Sequence, residues 1–315
     1  MGKLAFIFPG QGAQYVGMGK DFYENIPTCR EIIQKAGEIS GVSLEEICFE
    51  ENEKISITEY TQIAMAAVEA AILKALEEKS IFPDMTAGLS LGEYSAILAS
   101  GAMSMEDIFY TVRKRGIYMQ EAVPEGGAMS AVLGMEAETI EKICQDTEGT
   151  VSVANYNCPG QIVITGEEKA VQRACQKLKE AGAKRILPLK VSGPFHCRLL
   201  KSAGKKLSNV LEEISLQDIR IPYISNVTAK AVTDKEDIKE LLVQQVSSSV
   251  RWQQCIETMI EDGVDTFVEI GPGKTLSGFM RKISRDVEVM NIQTVEDFNK
   301  VTQILRERRT GNVRK

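Results

Sequence analysis

A chain of 315 residues can bury a sizeable core, and 43% hydrophobic with 26% charged residues suits a globular protein; no apolar run approaches the roughly 20 residues needed to cross a bilayer. With 44 acidic against 37 basic side chains the net charge is −7, which argues against neutralising nucleic-acid phosphates. Seven scattered cysteines without a Cys-x-x-Cys pair, and a single histidine, leave few ligands for zinc and predict reduced thiols in a cytoplasm.

Residues 3–8 read as a first strand rather than a secretion signal, because the apolar run passes directly into Gly and Gln with no small-residue cleavage site. A helix is predicted over 61–78, a strand over 86–89 and a helix over 105–122. The middle then changes rhythm. A strand over 128–133, a helix over 138–145, strands over 151–155 and 161–165 about the turn Asn157-Cys158-Pro159-Gly160, a helix over 167–181 and a strand over 184–188 make a βαββαβ order, the ferredoxin-like pattern. Beyond it come a helix over 198–214, a strand over 221–226, a helix over 251–262 and strands over 266–270 and 287–292. The basic stretch 306–315 is expected to be a solvated terminus. The fold class is therefore α/β: a parallel-sheet domain from residues 1–124 and 193–315, with a ferredoxin-like small domain inserted at 125–192.

Three features carry chemistry. Gly88-Leu89-Ser90-Leu91-Gly92 lies between a predicted strand and a helical run, which is what a nucleophile elbow requires, with the amide of Leu91 at the helix N-terminus available to an oxyanion. Ser90 as a simple helix cap is the alternative. A serine hydroxyl needs a base, and His196, after a Gly-Pro turn at the exit from the small domain, is the one histidine present. Arg115 falls on one helical face with Ile108, Val112 and Met119, so a guanidinium enters an apolar stripe. Its partner is either an internal carboxylate or a substrate carboxylate. Phe8-Pro9-Gly10-Gln11-Gly12 fails as a dinucleotide loop, since Tyr15 stands where a third glycine is needed, but it can present Gln11 and its amide to an oxyanion.

These residues resemble the malonyl-CoA:acyl carrier protein transacylase family. The likeness rests on Phe-Pro-Gly-Gln-Gly-Ala-Gln at the start, Gly-Leu-Ser-Leu-Gly-Glu-Tyr-Ser-Ala, Arg115-Gly116 followed by Met119-Gln120-Glu121, Asn157-Cys158-Pro159-Gly160-Gln161, Pro194-Phe195-His196, Ser225-Asn226-Val227 and Glu269-Ile270-Gly271-Pro272-Gly273. It spans nearly all of the first 295 residues. The resemblance implies an α/β-hydrolase-like domain with a ferredoxin-like insertion, acylation of Ser90, His196 as base and Arg115 as reader of the malonyl carboxylate. It also implies oxyanion contacts from Gln11 and Leu91, a pocket touched by Met119 and Phe195, and a main-chain carbonyl of Gln245 orienting the imidazole. Malonyl-CoA and an acidic acyl carrier protein are the implied partners of a cytoplasmic monomer without metal or other cofactor; Arg198, Lys201 and Lys274 are the cations nearest the motifs. Leu89 stands where the family usually has histidine, which touches pocket tuning rather than the base. Phe195 and the branched Leu91 resemble malonyl-selective members. A serine thioesterase, a polyketide acyltransferase and a non-catalytic scaffold are the competing classes.

Overall fold

The computed structural model describes residues 2–309 apart from Lys190 and Ser192. Among the described residues ten strands occur: β1 (Lys3–Phe8), β2 (Met85–Gly88), β3 (Gly127–Leu133), β4 (Val151–Cys158), β5 (Gln161–Glu167), β6 (Arg185–Pro188), β7 (Tyr223–Ile224), β8 (Ala231–Val232), β9 (Val264–Ile270) and β10 (Glu288–Ile292). They build two sheets, ordered β10-β9-β1-β2-β7-β8 and β4-β5-β3-β6.

In the larger sheet every pairing is parallel except β7 with β8 at one edge. The near-continuous apolar run of β1 follows from its central place, since a strand covered on both faces needs apolar side chains in both directions. Phe6 and Phe8 pack into the cluster formed with the helices Thr58–Glu78, Gly92–Ser100 and Met105–Ala122. Ala5 and Ile7 pack on the other face, against Trp252, Ile256 and Met259 of the helix Trp252–Glu261 and Leu276 and Met280 of Thr275–Ile283.

The smaller sheet is antiparallel throughout and follows the βαββαβ order, with helices Ala137–Gln145 and Glu168–Glu180 as its crossovers. The hairpin between β4 and β5 is a two-residue loop, Pro159-Gly160, in which Gly160 takes φ +70°. Two backbone hydrogen bonds join the smaller sheet to a connecting segment of the larger domain: Tyr156 N–H to the Val250 carbonyl (2.9 Å) and Val250 N–H to the Ala154 carbonyl (2.8 Å). The segment that follows the helix Glu236–Gln245 is thereby held against β4.

Several expected elements differ in extent. The strand expected over 221–226 shrinks to the two residues of β7, because Ser225 and Asn226 leave the sheet to bond other loops. The helix expected over 198–214 begins as a 3₁₀ turn, Arg198–Leu200, before the α-helix Lys201–Glu212. The basic terminus is corrected in its first part: residues 306–309 belong to the helix Val295–Arg309, and Arg308 pairs with Glu288 and donates to Thr266 Oγ1 (2.6 Å). Residues 310–315 lie outside the described residues. Among the described residues, no helix is long and apolar enough to cross a membrane, no group of three metal-ligating side chains assembles, and all seven cysteines are free thiols.

Candidate active site

The sharp turn between β2 and the helix Gly92–Ser100 is made possible by two close approaches. A Cβ on Gly88 would overlap the backbone of Gly92, and a Cβ on Gly92 would overlap the carbonyl oxygen of Phe8. Ser90 sits in that turn at φ +56°, a strained conformation for a non-glycine residue. Asn226 holds it there. Its Oδ1 accepts the Ser90 amide (2.7 Å) while its Nδ2 donates to the Gly88 carbonyl (2.7 Å). Among the described residues, the amides of Leu91 and Gln11 donate to no protein acceptor, and both residues line the cavity above Ser90. The Gln11 side chain is turned aside, its Nε2 donating to Thr58 Oγ1 (3.1 Å).

Ser90 and His196 meet across 106 positions of sequence, with Oγ 2.7 Å from Nε2. His196 is buried and also strained, at φ +61°. Its Nδ1 lies 2.9 Å from the Gln245 carbonyl oxygen. That oxygen can only accept, so Nδ1 carries the proton and the Nε2 lone pair faces the serine hydroxyl. Burial first, and the positive charge of Arg115 second, push the imidazole down from its ordinary 6.5 to about 4. It is therefore neutral at pH 7 and able to accept a proton.

Arg115 is 1% exposed on the helix Met105–Ala122, in line with the buried side chains of Ile108, Val112 and Met119. Its Nη1 donates to Gln62 Oε1 (2.7 Å), and its Nη2 to Ser90 Oγ (3.1 Å) and Gln245 Oε1 (3.0 Å). The guanidinium carbon stands 5.4 Å from the centroid of the Tyr94 ring. Among the described residues no carboxylate forms an ion pair with it, so an internal acid as direct partner is excluded there; three neutral oxygens surround a buried cation. The cation therefore has room for a direct anionic partner.

The cavity over these groups measures about 200 Å³. Met119, Phe195, Leu89, Met129 and Phe279 give it apolar walls, with Asn155 and Asn157 from β4 and Gln62 as polar points. Arg115 lies just beneath this lining and reaches it through Ser90 and Gln62. A larger cleft of about 620 Å³ shares only His196 with it and includes Arg198 and Arg251.

An elbow serine, a neutral imidazole and free amides suit acyl transfer chemistry. Residues 5–309 match the family described as the acyl transferase domain. The chain belongs to this family. It is 47% identical over 312 residues to the malonyl CoA-acyl carrier protein transacylase of Bacillus subtilis (strain 168), covering 98% of each chain. Its fold matches the crystal structure of MCAT from Streptococcus pneumoniae with a TM-score of 0.92 at 47% identity, over 96% of this chain and 100% of that one. It also matches a malonyl-transacylase in complex with its type II PKS acyl-carrier protein, with a TM-score of 0.93 at 37% identity, over 96% of this chain and 99% of that one.

Sequence reasoning about the acyltransferase missed four side chains that fasten the site. Asn226 was visible only as part of a motif, and Gln62 only as a glutamine within the helix Thr58–Glu78, nearly all of which is buried. Glu93 was likewise visible only inside the serine motif, and the side chain of Gln245 had no local signal, because the atoms these two side chains bond lie 130 or more residues away in sequence.

Proposed function

We propose that this acyltransferase moves the malonyl group of malonyl-CoA onto the phosphopantetheine thiol of an acyl carrier protein, through a malonyl ester of Ser90, and so supplies fatty acid synthesis. The observation that carries the reading is the double contact at Ser90 Oγ: His196 Nε2 at 2.7 Å and Arg115 Nη2 at 3.1 Å. An ordinary serine hydrolase needs only the first. A guanidinium beside the nucleophile, with only neutral oxygens in direct contact, suits an acyl chain that ends in a carboxylate.

In the first half-reaction the malonyl carboxylate takes the place of neutral oxygens around Arg115, bringing the thioester carbonyl carbon to Ser90. As Oγ bonds to that carbon, its proton passes to His196 Nε2, and the carbonyl oxygen becomes an oxyanion facing the amides of Gln11 and Leu91. Collapse breaks the carbon–sulfur bond, and His196 returns the proton to the departing CoA sulfur. The carrier thiol then attacks the ester, giving its proton to His196. The second collapse expels Ser90 Oγ, which takes that proton back. Substrate also tunes the base: a carboxylate on Arg115 offsets the charge that depresses the imidazole, so His196 becomes more basic when its proton is due.

The division into residues 1–124 with 193–315 and an inserted domain at 125–192 is part of this reading, since it sets the cleft between the two sheets. So are a cytoplasmic monomer without metal or cofactor, and carrier docking that draws on Arg198, Lys201 and Lys274; Arg198 also donates to Thr150 Oγ1 (2.8 Å), which fixes its direction. The relatives named malonyl CoA-acyl carrier protein transacylase, and the related transacylase in complex with its carrier, support both partners.

The test is to mix the protein with malonyl-CoA labelled in the acyl group, quench, digest and locate the label, with carrier protein added to a parallel sample. Label on the Ser90 peptide that passes to the carrier is the expected result. Free malonate released at full rate without carrier would assign a thioesterase instead.

A further inference from the structure

Besides the Tyr94 hydroxyl, one carboxyl among the described residues acts electrostatically on Arg115, and it is reached through an intermediary. Glu93, on the helix Gly92–Ser100, is fully buried. Its Oε2 accepts from Gln245 Nε2 (2.6 Å) and from the Asn226 amide (3.2 Å). The same Gln245 side chain accepts from Arg115 Nη2 with its Oε1 (3.0 Å), and its Nε2 also donates to the Ser90 carbonyl (2.8 Å). The orientation of this amide is fixed by its neighbours, since a guanidinium only donates and a carboxylate oxygen and a carbonyl only accept. One glutamine thus joins the cation, the carboxylate and the nucleophile's backbone, while its own carbonyl holds His196.

We propose that Glu93 is the resident countercharge of Arg115, and that docking of the malonyl carboxylate on Arg115 drives one proton from solvent onto Glu93, making malonyl recognition proton-linked. This rests on the reading of Arg115 given above. With substrate absent, one buried cation and one buried anion balance through Gln245. A malonyl carboxylate brings a second anion against a single cation, in a site where an uncompensated buried charge is strongly unfavourable. Protonating Glu93 restores the balance.

The carboxyl is suited to this. Burial pushes it up to about 7, against the lowering effects of Gln245, Asn226, Arg115 and Ser225, so a proton is gained or lost near neutrality. The other groups that face it are Tyr94 on its own helix, Tyr223 from β7 and Cys255 from the helix Trp252–Glu261. Burial holds all three above their ordinary values, so they stay neutral through this range. His196 changes charge near pH 4, well below it. Glu93 is a positioning residue and touches no substrate.

The experiment measures, from pH 6 to 8.5, the concentration of malonyl-CoA that half-saturates formation of the acyl-enzyme, with acetyl-CoA alongside. Acetyl-CoA carries the same phosphates and adenine and lacks the carboxylate, so titration of the nucleotide cancels in the comparison. In the unaltered protein the malonyl value should rise severalfold, and at most about tenfold per pH unit, above pH 7, while the acetyl value stays level. Glu93→Gln should abolish the difference between the two acyl groups. Equal pH dependence for malonyl and acetyl in the unaltered protein overturns the proposal whether or not the variant folds, as does a malonyl slope that persists in Glu93→Gln. Absence of any malonyl-enzyme at every pH would overturn the reaction itself, a separate failure.

Discussion

At the scale of single residues the site sets unlike charges against one another. Arg115 is held by three neutral oxygens, so removing it deletes no direct ion pair, and the Glu93 left behind can take a proton near neutral pH. Arg115→Ala should therefore fold, and its cost should fall on substrates that bring a carboxylate. Breaking a buried charge pair costs about 3 to 5 kcal/mol, or roughly 10²- to 10⁴-fold in rate. We expect a fall of that order in kcat/KM for malonyl-CoA and a loss of less than about tenfold for acetyl-CoA, which loses only the contact to Ser90 Oγ. Steady-state kinetics with both substrates decides the matter. Equal losses would make the arginine a support for Ser90 and Gln245, not a reader of substrate.

At the scale of elements, the elbow depends on how closely β1, β2 and the helix Gly92–Ser100 pack. The Phe8 and Pro9 carbonyl oxygens occupy the space that a Cβ on Gly92 would need, and backbone cannot step aside as a side chain can. Gly92→Ala should lower stability by about 1 to 3 kcal/mol or more. It should reduce Ser90 acylation further still, because the same overlap pushes the loop of Gln11. Gly278, on the helix Thr275–Ile283, has open space around its Cα, and Gly278→Ala should raise stability by about 0.5 to 1 kcal/mol. Urea denaturation of the two variants checks the pair; equal effects would mean that intrinsic helix preference, not the close approach, governs position 92. Elements of this kind were legible from sequence where local pattern decides them. The apolar run of β1, the Gly-x-Ser-x-Gly turn and the βαββαβ order are local. Helices Pro27–Ser40, Glu236–Gln245 and Val295–Arg309 were not foreseen: the first has no side-chain cap hydrogen bond, whereas the caps of the other two, Asp234 Oδ1 accepting the Glu236 amide (3.0 Å) and Thr294 Oγ1 accepting the Asp297 amide (3.1 Å), stand in polar stretches that read equally as loop. The contact of Ser90 with His196 was inferred by elimination, one histidine being available. At Gln245 the family resemblance supplied only the main-chain carbonyl, and the side-chain hub was beyond reach, because a buried amide acquires meaning only from partners as distant as 155 positions.

At the scale of the whole molecule, the buried ionisable groups set how stability follows pH. Burial raises the carboxyls of Glu69, Glu93 and Glu269 above their ordinary 4.5, Glu69 furthest, with the charge of Glu269 adding to its shift. Between 4.5 and the raised values the native protein holds protons that the unfolded chain has released, so these groups stabilise at low pH and that stability is lost as pH rises. His196 acts in the opposite sense: its folded value of about 4 lies below 6.5, so the unfolded chain binds the proton first and stability is lost as pH falls from 6.5 towards 4. Between pH 6 and 8 Glu93 and His196 act in opposite senses and offset one another in part. Glu69 and Glu269 are left to set the trend, and of the two Glu69 is raised well above its ordinary value. It bonds only Ser95 Oγ (2.6 Å) through one oxygen, and its other oxygen is buried without a hydrogen-bond partner. The protein should lose stability from pH 6 to pH 8, and Glu69→Gln, which keeps the acceptor for Ser95 but cannot release a proton, should lose less. Thermal unfolding of both proteins across that range measures the difference; an identical decline in the two would show that Glu69 is not the group that titrates.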